Sequence, residues 1–286
     1  MSARGSISRF RRALVPAPLR GKPLRLVQRA ISQRTHDHPH RNLLIVGQPK
    51  SGSTWLLRMV LEAPGYQKWA PQTVKLGLPH DLRMEDFVPP PVGYTVTKPH
   101  TMATRENVSV VRATGRPFVV LIRDPRDLAV SWAYYVGLPG RTRWGWPEAV
   151  DLTVEDRISF YIERVLPKQS RWGLDWKRAI EDELPAGQGL MVRYEDMLGD
   201  VYAVMRRVFD HFGVALDDER VRVICEKHAF KKATGRAPGE GDPKSFNRKG
   251  IAGDWENHFS PEQKAAFKEQ AGERLVELGY ASDLDW

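Results

Sequence analysis

The residues of this chain best suited to chemistry stand together at Gly47-Gln-Pro-Lys-Ser-Gly-Ser-Thr54, where glycines, a lysine and hydroxyls fall within eight positions. Glycine lets a backbone approach an anion closely. Successive amide N–H groups ahead of a helix then supply donors and the positive end of a dipole without any side chain. Lys50, Ser51, Gly52, Ser53 and Thr54 are therefore candidates to cradle a phosphate, with an ordinary turn as the plain alternative. In a Walker-type loop the lysine follows the second glycine directly, to reach the β- and γ-phosphates. Here Ser53 takes that place and Lys50 stands two residues ahead of Gly52. The displaced cation would meet a different atom of the ligand, which counts against the rival reading of a P-loop kinase or NTPase.

Such a loop needs a strand before it and a helix after it. Asn42 to Val46 is a short apolar run bounded by Gly47, as a buried strand should be, and Thr54 to Leu61 repeats apolar residues at helical spacing. Further strands are expected at Tyr94 to Thr97, Phe118 to Ile122 and Gly189 to Tyr194. A helix is expected over Thr153 to Leu166, and another opens at Ser260-Pro-Glu-Gln263 with an N-cap, a proline at N1 and a capping-box partner. Gly279 is placed to stop it. Strands alternating with helices predict an α/β fold of three layers, α/β/α, around a central and mainly parallel sheet, with ligands at the carboxyl ends of the strands. Lys231 to Gly253, rich in Gly, Pro and Lys, reads as one long loop.

Pro49-Lys-Ser-Gly-Ser-Thr-Trp-Leu56 closely resembles the 5′-phosphosulfate loop of the cytosolic sulfotransferase family. Phe118-Val-Val-Leu-Ile-Arg-Asp-Pro-Arg-Asp-Leu-Ala-Val-Ser131 is similar to that family's 3′-phosphate motif, with Arg123 and Ser131 at the ligand positions. Arg248-Lys-Gly-Ile-Ala-Gly-Asp-Trp255 resembles its closing Arg-Lys-Gly loop. The resemblance implies two anion sites: one at Lys50, the other formed by Arg123, Ser131, Arg248, Lys249 and Gly250. It implies as donor 3′-phosphoadenosine 5′-phosphosulfate (PAPS), as product adenosine 3′,5′-bisphosphate (PAP), and no metal. Trp55, Tyr194 and Phe230 are the implied adenine contacts, Phe230 being the weaker match. Arg126 and Asp127 are expected to form an ion pair at a helix start, and Asp254 with Trp255 to anchor the loop.

Thr97-Lys-Pro-His100 resembles the Lys-Thr-His stretch in which the family's histidine is the general base, with Pro99 in place of the usual Thr. His100 is the implied base. An imidazole with a pKa of about 6.5 is largely neutral near pH 7 and accepts a proton from a hydroxyl. Lys98 is expected to orient the acceptor or the sulfuryl oxygens, and Lys50 to stabilise the bridging oxygen as the S–O bond breaks. His36, His38 and His40 cluster in sequence but fit no zinc spacing. Asp124 mimics a Walker B aspartate only loosely, because Arg123 beside it opposes a bound Mg²⁺.

The acceptor is read less sharply. Trp132, Tyr134, Tyr135, Trp144 and Trp146 crowd one region and Trp69 another. As pocket walls they suit a small-molecule phenol, a lipid-like alcohol or a glycan equally, and as core they need no acceptor. The family's C-terminal dimer motif has no counterpart in Glu256 to Ala265, so that dimer is not expected. Net charge is +9, yet ten of the 44 Lys and Arg and one of the 35 Asp and Glu fall in residues 1–41, leaving the rest balanced. Residues 1–41 thus read as a basic arm: a flexible tail, a transit segment or a contact for anionic membrane. Residues 42–286 read as one domain with no nucleic-acid face, so a non-catalytic polyanion-binding protein is disfavoured. A lone cysteine, Cys225, fits a reducing cytoplasm.

Overall fold

The computed structural model describes residues 31, 34–69, 81–87, 93–139 and 146–286. Trp144 and the first thirty residues of the basic arm lie outside the described residues.

Five strands form one sheet: β1 (Asn42–Gly47), β2 (Tyr66–Trp69), β3 (Tyr94–Thr97), β4 (Phe118–Ile122) and β5 (Gly189–Arg193), in the order β2-β3-β1-β4-β5. Every pairing is parallel. All six residues of β1 and all five of β4 are buried, as central strands covered on both faces require. Alternation divides them between two cores. Leu43, Ile45, Val119 and Leu121 face Met205, Val208 and Phe209 of α7 (Val201–His211), whereas Leu44, Val46, Val120 and Ile122 face Trp172 and Trp176 of α5 (Leu166–Arg178). A third core packs α3 (Pro125–Val136), α4 (Val154–Phe160) and α10 (Pro261–Glu277).

The remaining helices are α1 (Ser53–Val60), α2 (Arg105–Thr114), α6 (Tyr194–Gly199), α8 (Asp218–Lys227) and α9 (Phe230–Thr234). Helices lie on both faces of the sheet, and the expected three-layer α/β/α architecture is what forms. Ser260 and Gln263 make the reciprocal capping box that starts α10. Gly279, at φ 70°, follows it.

The structure departs from the sequence reading in four places. Tyr66–Trp69 is a strand that was not expected. Helix α4 runs on through a π-helical turn, Tyr161–Val165, into α5. Pro167 explains this, since it has no N–H to donate to the ladder. Residues 231–234 belong to α9, so the long loop begins later. Residues 36–41 are fastened to the sheet's edge: Tyr94 Oη donates to the His36 carbonyl (2.6 Å), Tyr66 Oη to that of His40 (2.5 Å), and the His38 ring stacks on Tyr66. Cys225 is buried in α8, and its thiol is pushed up to about 11 by that burial.

Candidate active site

Each strand of the sheet's centre ends in a residue or turn that the sequence singles out, and this is why the sequence motifs meet. After β1 the chain enters the loop of Lys50, the one non-glycine among the described residues with positive φ (69°). Gly52 follows at φ 85° and takes the N-cap position of α1, where no side chain caps the helix. The first amides of α1 are thereby left to an external acceptor. A Cβ on Gly52 would lie 2.7 Å from the ring of Tyr194, so nothing larger than glycine fits between loop and ring. Ser51 is fully buried and its hydroxyl donates to the Gln48 carbonyl (2.7 Å), which makes it a brace for the loop.

After β3 come Lys98 and His100. His100 Nδ1–H donates to the Gly47 carbonyl (2.5 Å), which fixes the tautomer with its lone pair on Nε2. Lys98 Nζ donates to that Nε2 (3.0 Å) and lies 3.5 Å from Ser53 Oγ. Burial, with the charge of Lys68 adding, pushes the Lys98 ammonium down to about 8.

After β4 comes Arg123, whose guanidinium lies over the Tyr194 ring (4.4 Å), donates to the Ile251 carbonyl (3.2 Å) and pairs with Asp127 (3.5 Å). Burial works against its charge, but Asp127, Tyr194, Glu195 and Asp124 together outweigh that. Its Nε is buried without a hydrogen-bond partner. Arg126 and Asp127 do not pair with each other as expected. Arg126 pairs with Asp124 (2.8 Å), and Asp127 pairs with Arg123 while accepting from the backbone N–H of Gly253 (2.9 Å) and Trp255 (3.1 Å). Arg123 precedes α3 and reaches forward to Asp127 in the helix's first turn, whereas Asp124, the N-cap of α3, takes Arg126. Asp124 is thus occupied by Arg126.

The loop following α9 returns over this floor. Arg236 knits it together by donating to the carbonyls of Glu240, Asn247 and Arg248. Asp254, 1 % exposed, accepts from Arg248 (2.5 Å) and Lys249 (2.6 Å) and faces His258 (3.3 Å). Burial alone would raise its carboxyl, but these three partners hold it well below the usual carboxylate range. A Cβ on Gly250, at φ 66°, would sit 2.5 Å from the Phe230 ring. Phe246 of the same loop and Tyr135 of α3 enclose Lys50 Nζ, at 4.3 and 4.0 Å from their ring centres.

One cavity of about 640 Å³ is shared by nearly all of these groups. Lys50, Gly52, Ser53, Thr54 and Trp55 line it from α1 and its loop; His100, Arg123 and Tyr194 from the strand ends; Ser131 from α3; Phe230, Arg248, Lys249 and Gly250 from above. Ser51 and Lys98 stand behind the wall, Lys98 reaching it through His100 and Ser53. Trp55 Nε1 donates to the His228 carbonyl (2.9 Å), and its ring meets Tyr194 edge-on (6.1 Å). Of the aromatic candidates, Trp132, Tyr134, Tyr135 and Trp146 line the cavity, whereas Trp69 does not.

The residues fit a nucleotide with anions at two places. An uncapped helix start and an unpaired buried Arg123 Nε await acceptors, and Gly52 leaves the room. Among the described residues no group of three or more His, Cys, Asp or Glu is arranged to hold a metal ion. Sequence reasoning missed Gln48, which is 1 % exposed. Its side chain accepts from the Arg123 N–H (3.4 Å) and donates to the Gln169 carbonyl (2.9 Å), tying the Lys50 loop to β4 and α5. Its only signal was a polar residue at a strand's end. Phe246, Arg164 and Lys168, also on the cavity wall, were missed as well.

A family model described as the sulfotransferase domain matches residues 94–279. Sulfotransferase 6B1 of Danio rerio is 24 % identical over 266 residues, covering 86 % of this chain and 82 % of that one. Sulfotransferase 2A1 of Rattus norvegicus is 23 % identical over 262 residues, covering 82 % and 84 %. Among solved structures, a mouse sulfotransferase complexed with PAP superposes with a TM-score of 0.64 at 19 % identity, over 89 % of this chain and 91 % of that one. A retinol dehydratase in complex with androsterone and PAP gives 0.57 at 20 % identity, over 87 % and 84 %. No helix among the described residues is long and apolar enough to cross a membrane.

Proposed function

Since the chain belongs to the sulfotransferase domain family and is a PAPS-dependent sulfotransferase, we propose that it sulfates a hydroxyl or amine of a small-molecule, lipid or carbohydrate acceptor with His100 as base. The observation that carries the reading is that the Lys50 loop and the group Arg123, Ser131, Arg248 and Lys249 line one cavity. ATP has one cluster of phosphates. PAPS has two anions on one ribose, and only such a ligand engages both groups.

In this reading the amides of Gly52, Ser53 and Thr54 and the start of α1 hold the 5′-phosphosulfate. Arg123, Ser131, Arg248, Lys249 and the Gly250 backbone hold the 3′-phosphate, and Trp55, Tyr194 and Phe230 frame the adenine. The acceptor oxygen approaches the sulfur opposite the bridging oxygen. His100 Nε2, aimed by the Nδ1–H bond to Gly47, takes the acceptor proton as the new O–S bond forms. Lys50 takes up the charge that develops on the bridging oxygen as the old S–O bond breaks and PAP departs. Lys98 is a positioning residue. It holds the Nε2 lone pair until the acceptor replaces it, then turns towards Ser53 and the sulfuryl oxygens. The charge to be stabilised is met by Lys50 and backbone amides, so this scheme uses no metal. A lone cysteine, which can form no disulfide within the chain, accords with a cytoplasmic setting.

Calorimetry tests the donor. PAP is expected to bind with a dissociation constant in the micromolar range or below, and Mg·ATP at least about tenfold more weakly, since one lost charge-assisted contact alone is worth that factor. Absence of micromolar PAP binding would overturn the reading.

A further inference from the structure

The donor accounts for Lys50, Arg123, Arg248 and Lys249, but the cavity wall carries three further cations, each exposed: Arg58 on α1, and Arg164 and Lys168 together on another helix. Tyr161, Arg164, Val165, Lys168 and Gln169 all line the cavity, a spacing of three and four that marks one face of the helix running through the π-helical turn into α5. Arg164 and Lys168 are neighbours on that face, and like charges at i,i+4 repel. Further along the same helix Lys177 is answered by Glu181 at 2.6 Å, and elsewhere Arg206 by Asp210 and Arg178 by Glu277. No such partner answers Arg164 or Lys168: among the described residues neither makes an ion pair. Beside them the Gln169 Oε1 atom is buried without a hydrogen-bond partner.

Their place relative to the chemistry follows from the hydrogen bonds. The Gln169 carbonyl accepts from Gln48, and Gln48 adjoins Gly47, whose carbonyl holds His100. Lys168 therefore stands next to the residue that ties α5 to the loop, and Arg164 four residues earlier in the chain. Apolar rings line the same cavity: Trp132, which packs against Tyr161 (5.4 Å), and Trp146, which packs against Phe160 (5.5 Å).

We infer that the acceptor bears, besides the group that is sulfated, an anionic group that Arg164 and Lys168 hold while its apolar body lies against Trp132 and Tyr161. This rests on the proposed sulfuryl transfer and names the class of substrate it serves. A carboxylate and a phosphate or sulfate monoester share the required chemistry.

The test uses the full chain, labelled PAPS and matched acceptors that differ only in the anion: phenols, long-chain alcohols and sugars, each neutral, with a carboxylate, and with a phosphate monoester. Among the acceptors turned over, the acid-bearing member is expected to show a kcat/KM at least about tenfold above its neutral partner, through KM, as a charge-assisted contact should give. The better of the two acid arms identifies the anion. In Arg164→Gln/Lys168→Gln that ratio is expected to fall towards one while PAP affinity, read by calorimetry, stays within about threefold. Neutral acceptors used as well as acidic ones, or a ratio unmoved in the double variant, overturns the inference alone. Weakened PAP binding in that variant assigns the two cations to the donor and overturns it too. If the parent chain neither binds PAP nor sulfates any acceptor, the sulfotransfer reading itself falls.

Discussion

Charge on a buried ammonium is held at a cost, and Lys98 shows both sides of that. The group is pushed from 10.5 down to about 8 by burial. At pH 7 the folded and unfolded chains both carry the proton, so folding bears the full penalty, roughly 3 kcal/mol at 1.36 kcal/mol per pKa unit. As pH rises from about 8 to 10.5 the folded chain sheds the proton first, so the penalty shrinks, and above 10.5 it is gone. Lys98→Met is accordingly expected to raise Tm at pH 7 by several degrees and to give no advantage near pH 10.5, while lowering kcat at least about tenfold. His100→Ala should lower kcat by about a hundredfold or more without that gain in stability. Thermal unfolding followed across pH, beside turnover, decides the matter, and a Lys98→Met chain no more stable than its parent at pH 7 contradicts the account. Lys50, Arg123 and His100 were legible because each follows a readable strand. Gln48 was not, because its role depends on Gln169, 121 residues away, and no local pattern encodes a partner so distant.

Strands and loops are joined here by two glycines that do not tolerate a side chain. Gly52 and Gly250 both have positive φ, and a Cβ on either would meet a ring, that of Tyr194 or Phe230. Gly52→Ala and Gly250→Ala are each expected to weaken PAP binding about tenfold or more, and to cost about 1–3 kcal/mol of stability from backbone strain alone. Calorimetry and urea unfolding read the two effects, and full PAP affinity in either variant would show that ring and loop yield freely. The central strands were readable from their continuous apolar runs. β2 escaped because Tyr66-Gln-Lys-Trp69 at the sheet's edge is buried only at Tyr66, which leaves a weak period. The π-helical turn escaped because periodicity assumes an unbroken ladder, and Pro167 breaks it.

For the molecule as a whole, the cavity floor is made by the carboxyl ends of β1, β3, β4 and β5, so it inherits the rigidity of the sheet. Motifs far apart in sequence could be assigned to one site because a parallel sheet brings those ends together. The cavity's other wall is drawn from α3, the π-helical turn and α5, and its shape depends on how helices pack, which is why its aromatics were named but its cations were not.

The flap knitted by Arg236 lies across that floor, with Phe246 over Lys50 and Ile251 accepting from Arg123. Time is then the quantity it governs. If the proposed donor site holds, the spent bisphosphate would lie beneath the flap and depart only when it lifts, and the first turnover is expected to outrun those that follow. Rapid-quench measurement is expected to show a burst of one sulfated product per enzyme, with the steady rate increased when Arg236→Ala loosens the flap. A linear start would place the slow step in the chemistry instead.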